Sequence, residues 1–212
     1  MLLLVSWQVA VDGPALELDR LVRHAVRELR HVLGSTPADR LGELFADLGE
    51  GSVAVPVLFL GGAVASWREF RAGRARWWLP LPVAALTAGL IPLLVVPAKI
   101  RFARPGPSGL PLTAEQWGWY PSGHTTTAAL AYGVAALLVC RAAGPRARRV
   151  LAGAAALLWA GVGLGLVWRE YHWLLDVVAG WCLGGLVLWA LARWPLTCRP
   201  GRPGTRRPAA GG

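Results

Sequence analysis

The sequence predicts an all-α membrane protein: a polytopic helical bundle of five to six spans, with an amphipathic N-terminal region and a disordered basic C-terminal tail. Three observations point there. Of 212 residues, 55% are hydrophobic and only 16% are charged, too apolar for a disordered chain and unusual for a soluble one. The charged residues cluster, leaving uncharged stretches that approach the ~20 residues a helix needs to cross a bilayer. Trp67, Trp77, Trp78, Trp168, Trp173 and Trp194 stand at or near the ends of those stretches, and indole rings favour the membrane interface.

Met1–Val11 is apolar but too short to cross alone. It has no basic leader and no small-residue cleavage site, so it reads as the end of a sixth span that begins upstream. Residues 12–51 are polar and carry two amphipathic stretches. Leu18, Leu21, Val22, Ala25, Leu29 and Val32 recur at helical spacing, with Arg20, Arg23, Arg27 and Arg30 on the other side. Leu41, Leu44, Phe45 and Leu48 repeat the pattern, and helices of this kind lie along membrane surfaces. His24 and His31 are about two turns apart, too far to share a metal ion. Residues 1–51 therefore form an N-terminal unit, and residues 52–194 the transmembrane core. Its spans are expected at Ser52–Ser66, Trp78–Ala98, His124–Cys140, Val150–Trp168 and Trp173–Ala192. Gly161, Gly163 and Gly165 in one span, with Gly184 and Gly185 in the next, allow close helix approach. Residues 195–212 are rich in Pro, Gly and Arg and read as the disordered tail.

The formal charge of +10 sits in clusters between apolar segments rather than on one face, so it describes membrane topology and not nucleic-acid binding. Thirteen arginines and one acid, Glu69, occupy the loops around 68–76 and 141–149 and the segment after the last span. That side is expected to be cytoplasmic, with the C-terminus, and the connections 12–51, 99–123 and 169–172 face outward. Cys140, Cys182 and Cys198 match no zinc or disulfide spacing.

The unusual polar residues fall in two outward connections. One contains Lys99, Arg104-Pro105 and then Tyr120-Pro121-Ser122-Gly123-His124. The other is Arg169-Glu-Tyr-His172 followed by Asp176. Ser122 and Gly123 precede a helix, where unpaired N–H groups and the helix dipole favour an anion. Lys99, Arg104 and Arg169 supply positive charge that suits a phosphate or diphosphate. His172 and Asp176, four apart, share one helical face. The carboxylate can hold the Nδ1 proton and leave Nε2 as a nucleophile. His124 is then available to protonate the departing oxygen. Asp176 is the one acid inside an expected span, and an intramembrane carboxylate needs a partner.

These segments resemble the three signatures of the type 2 phosphatidic acid phosphatase superfamily: a Lys…Arg-Pro segment, Pro121-Ser122-Gly123-His124, and an Arg…His-x-x-x-Asp segment. The resemblance implies that His172 forms a phosphohistidine, that Asp176 orients it and that His124 is the general acid. It makes Lys99, Arg104, Ser122, Gly123 and Arg169 phosphate ligands and implies no cofactor and no metal. Two spacings depart from the family pattern. Lys, six residues, then Arg-Pro would place the arginine at Gly106, whereas Arg104 comes two residues early. The arginine six before the nucleophilic His falls on Leu166, whereas Arg169 stands three before it.

The expected activity is hydrolysis of a lipid phosphate or isoprenoid diphosphate, of the undecaprenyl diphosphate or phosphatidic acid type. The implied partners are the bilayer and a phosphorylated lipid, and the active site is expected on the outer face of the plasma membrane. The alternative is a weakened or inactive member that binds or moves such lipids.

Overall fold

The computed structural model describes residues 1–34, 36–113, 116–141 and 143–193. The expected tail, with Trp194 and Cys198, lies outside the described residues. Among these the chain forms eight helices: α1 (Leu2–Ala10), α2 (Leu16–Leu33), α3 (Thr36–Leu48), α4 (Gly51–Arg71), α5 (Pro80–Phe102), α6 (Gly123–Cys140), α7 (Pro145–Trp168) and α8 (Leu174–Arg193). Helices α4 to α8 are long and apolar enough to cross a membrane. They coincide with the five expected spans, and the short first one gains its missing length from the turn that carries Trp67, Arg68 and Arg71. The chain is an all-α integral membrane protein.

Helix α6 is the central post. It packs against α4, α5, α7 and α8, and eleven of its eighteen residues are buried. Ala128, Ala129, Ala131 and Ala135 let neighbours come to close range, while Leu130, Tyr132, Val134 and Leu138 fill the core between them. The outer helices keep Leu60, Leu86, Leu93, Leu157 and Leu186 exposed, as lipid-facing surfaces do.

The glycines of α7 and α8 act differently from the expected mutual contact. Gly165 and Gly161 lie against α3, where a Cβ on Gly165 would stand 2.6 Å from the Gly42 carbonyl. Gly184 lies against Ala129 of α6, and only Gly163 and Gly185 face between α7 and α8. The reason is that α3 inserts its Phe45 beside α7, so that helix has two close neighbours rather than one.

The N-terminal helices pack on the core. Val5 and Val9 of α1 join Tyr120, Leu175 and Ala179 in a buried cluster. Helix α2 turns three of its arginines toward the protein: Arg23 and Arg27 donate to Glu170 at 2.9 and 2.8 Å, and Arg30 makes a two-pronged bond to Asp39 of α3, while Arg20 stays exposed beside Glu17. Its apolar stripe stays exposed, with Leu21 65% and Val32 78% accessible. The arginines reach inward because Glu170 and Asp39 await them there; the leucines are left for the membrane surface. Helices α2 and α3 and the α5–α6 and α7–α8 connections thereby gather at one end of the bundle.

Candidate active site

The α7–α8 connection is a tight turn. The Leu166 carbonyl accepts the N–H groups of Tyr171 at 2.9 Å and His172 at 3.4 Å. Asp176, in the first turn of α8, is fully buried. Its Oδ2 accepts from His172 Nδ1 at 3.3 Å and from the Trp173 N–H at 3.3 Å, and its Oδ1 accepts from Arg104 Nη1 at 2.5 Å. With Nδ1 donating to the carboxylate, Nε2 is left with its lone pair. Burial pushes the His172 imidazole below its ordinary range, against the pull of Asp176; Lys99 and His124 push the same way as burial.

His124 is the second residue of α6. The helix starts where Ser122 caps it: Ser122 Oγ accepts the Thr125 N–H at 3.3 Å and the Thr125 hydroxyl at 2.9 Å. The Ser122 N–H in turn donates to the Asp176 carbonyl at 3.0 Å, which ties the first turn of α8, just after His172, to the start of α6, which carries His124. That approach needs Gly180, because a Cβ there would meet Thr125 Cβ at 3.0 Å and the Ser122 carbonyl at 3.1 Å. The imidazoles of His124 and His172 consequently stand 6.3 Å apart, centroid to centroid, with their planes at 62°. His124 Nε2 lies 3.1 Å from Glu50 Oε1.

The two rings separate two cavities. The larger, of about 600 Å³, runs along Ile91, Val95 and Val96 of α5 and holds Lys99, Gly123 and both histidines. Lys99 Nζ donates to the Gly118 carbonyl at 2.8 Å. The smaller, of about 450 Å³, is edged by Glu43, Asp47, Glu50 and Glu170. The larger cavity is apolar along α5 and carries Lys99 and Glu50 near the histidines; the smaller, which shares Glu50, is acidic.

Residues 77–200, more than half of the chain, match the family model of the PAP2 superfamily. The chain belongs to the PAP2 superfamily. The crystal structure of the first transmembrane PAP2 type phosphatidylglycerolphosphate phosphatase, from Bacillus subtilis, is similar in fold: TM-score 0.75 at 24% identity, over 95% of this chain and 97% of that one. No curated protein matches the chain. At 95% of this chain, the likeness in fold reaches well upstream of residue 77, where the PAP2 match begins.

The PAP2 residues read from sequence divide into two groups. Lys99, Gly123, His124 and His172 share one cavity, and Asp176 stands behind His172. Arg104, Arg169 and Ser122, expected at the phosphate, have other partners. Arg104 bridges Asp176 and Asp19, donating to Asp19 Oδ2 at 2.6 Å. Arg169 donates to Glu43 at 2.6 Å and stacks on Tyr171. The Ser122 side chain is fully buried as a helix cap. At the two positions where the PAP2 pattern has arginine, Gly106 and Leu166 line the acidic cavity beside His172. Asp19 and Glu50 were not singled out in the sequence; they lie in α2 and just before α4, far from any motif, and no local spacing marks them.

Proposed function

We propose that the chain is a phosphatase that removes phosphate from a lipid phosphate at the outer membrane surface through a phosphohistidine. The observation that carries this reading is the pair of facing imidazoles, 6.3 Å apart, one backed by a carboxylate, in a cavity whose long wall is apolar. The lipid tail lies along α5 in that cavity and the phosphate comes to Lys99 and the free N–H groups at the start of α6.

His172 Nε2 attacks phosphorus while the bond from phosphorus to the lipid oxygen breaks. His124 gives its proton to that oxygen, and the lipid alcohol leaves, or the lipid monophosphate when the substrate is a diphosphate. Water then attacks the phosphohistidine, His124 takes the water proton, the phosphorus–nitrogen bond breaks and phosphate departs. Asp176 holds His172 in the productive tautomer throughout. Arg104 serves this reaction by holding Asp176 rather than by touching phosphate, and Arg169 is engaged with Glu43 of α3 instead. The arginine-rich loops at the far end of the bundle support an outward-facing site and a cytoplasmic C-terminus. Phosphatidic acid, phosphatidylglycerol phosphate and undecaprenyl diphosphate are the substrate types to test.

The second reading, a protein that binds or moves phosphorylated lipids, is favoured by one observation: Lys99 is the one Lys or Arg among the described residues lining the two cavities. Against it, a binder has no use for an aligned His124, His172 and Asp176. Phosphate release from the three lipids by purified protein, with chelator present, tests both. Turnover that is blocked by vanadate and lost in His172→Ala is expected. Undiminished turnover in His172→Ala removes the mechanism, and tight binding without turnover selects the second reading.

A further inference from the structure

We infer that Asp19, in α2, is a positioning residue for the nucleophile, acting through Arg104 and Asp176. The inference rests on the proposed role of His172 and adds a member from outside the PAP2 match, which begins at residue 77. Asp19 is 2% exposed, an unusual state for a carboxylate on an amphipathic surface helix. Both of its oxygens are used. Oδ2 accepts from Arg104 Nη2 at 2.6 Å, and Oδ1 accepts the Leu175 N–H at 2.8 Å, one residue before Asp176. Arg104 reaches Asp176 with its other terminal nitrogen, and Asp176 reaches His172 Nδ1. An unbroken buried chain thus runs imidazole, carboxylate, guanidinium, carboxylate, with its far end anchored in α2.

The chain solves a charge problem. Arg104 alone would neutralise Asp176 and leave His172 without a counter-charge as its imidazole turns cationic on attacking phosphorus. Asp19 adds the second carboxylate, so the buried cluster keeps one net negative charge beside the ring. It also holds an N–H of the first α8 turn that has no partner within the helix. Position and charge are therefore set by the same side chain.

The test is Asp19→Asn in full-length protein, read by the pH profile of kcat/KM and by NMR titration of the histidine ring carbons, with His172 assigned through His172→Gln. Asp19→Asn leaves Arg104 less balanced, so His172 is harder to protonate. Its titration and the acid limb of the profile move to lower pH, and kcat falls about 10- to 100-fold while KM changes little. The other charged groups that face the ring are unchanged: Lys99, His124, and Glu43, Asp47, Glu50 and Glu170 at the rim. Arg23, beside Asp19, is unchanged too. Asp19→Glu keeps the charge and restores the limb. In Asp19→Asn with Arg104→Met, the cluster again carries one net negative charge and the titration returns to or above the wild-type value. This double variant also lacks the stranded guanidinium, so it carries the test if the single variant does not fold. A role in folding alone lowers the active fraction and leaves the titration where it was; that result overturns the inference, as does a double variant that titrates below wild type. Loss of the phosphatase reading shows separately, as no turnover by the wild type, and the NMR titration still decides the role of Asp19.

Discussion

Lys99→Met separates what the cavity uses from what the family pattern suggests. The methionine keeps most of the stem beside Val95 and removes the ammonium, which is the one Lys or Arg among the described residues lining either cavity. A hydrogen bond to a charged group contributes ~1.5–3 kcal/mol. Loss of that amount from the transition state lowers kcat/KM about 10- to 150-fold. Arg169→Gln is the control. Arg169 is held by Glu43 at 2.6 Å and faces α3, not the phosphate, so its loss changes kcat/KM less than about threefold, the effect of a surface ion pair. The assay is phosphate release from mixed micelles of a lipid monophosphate, with both variants matched to wild type in thermal stability. A large loss in Arg169→Gln with little in Lys99→Met refutes the assignment of the two cations and returns Arg169 to the phosphate.

The remaining predictions concern the histidine pair and its supports. Asp176→Asn loses about 10³–10⁴ in kcat, because the amide no longer holds Nδ1 as a donor, and it fails to accumulate phosphohistidine in acid-labile phosphate trapping. Because burial holds His172 below its ordinary value of 6.5, the acid limb of kcat/KM lies below that value. The same shift bears on stability. The unfolded chain takes up this proton near 6.5 while the folded chain does not, so stability contributed by neutral His172 is full above 6.5 and declines as pH falls toward the folded value. Melting temperatures across that range measure it. Gly118→Ala places a Cβ at 3.0 Å from the Lys99 carbonyl at a residue with φ of 101°, a strain of ~1–3 kcal/mol; Tm falls and KM rises as the carbonyl that holds Lys99 shifts.

The bundle was legible because long uncharged runs and interfacial tryptophans have no other physical outlet. The five spans follow from that, as does the helix that starts before His124; His172 meets Asp176 from the turn ahead of α8 and not from a shared helical face. The partners of the arginines were not legible. Arg104 stands two residues from its family register, and nothing local says that Asp19, 85 residues earlier, will meet it. The same holds for Glu43 and Arg169, joined across 126 residues. Periodicity places a residue on a face, but it does not say which neighbour that face will find. For α2 the pattern separated arginines from leucines, while the ion pairs with Glu170 and Asp39 determine which of the two sides touches protein. Two of the three α7 glycines differ for a related reason: their spacing allows an intimate neighbour, and for Gly161 and Gly165 that neighbour is α3, while Gly163 faces α8.

With Asp19 in its proposed role, the rolled position of α2 would tie reaction rate to the physical state of the leaflet. One flank of this helix exposes Leu18, Leu21, Leu29 and Val32, an apolar stripe of the kind that enters a membrane interface, while the other flank carries Asp19 at the end of the hydrogen-bonded string behind His172. Thinning, stiffening or curving the surrounding bilayer would then tug on that string through the apolar flank. Micelles and vesicles of different chain length thus become tuning knobs for turnover, and a catalytic constant for this protein has meaning only alongside the amphiphile in which it was measured.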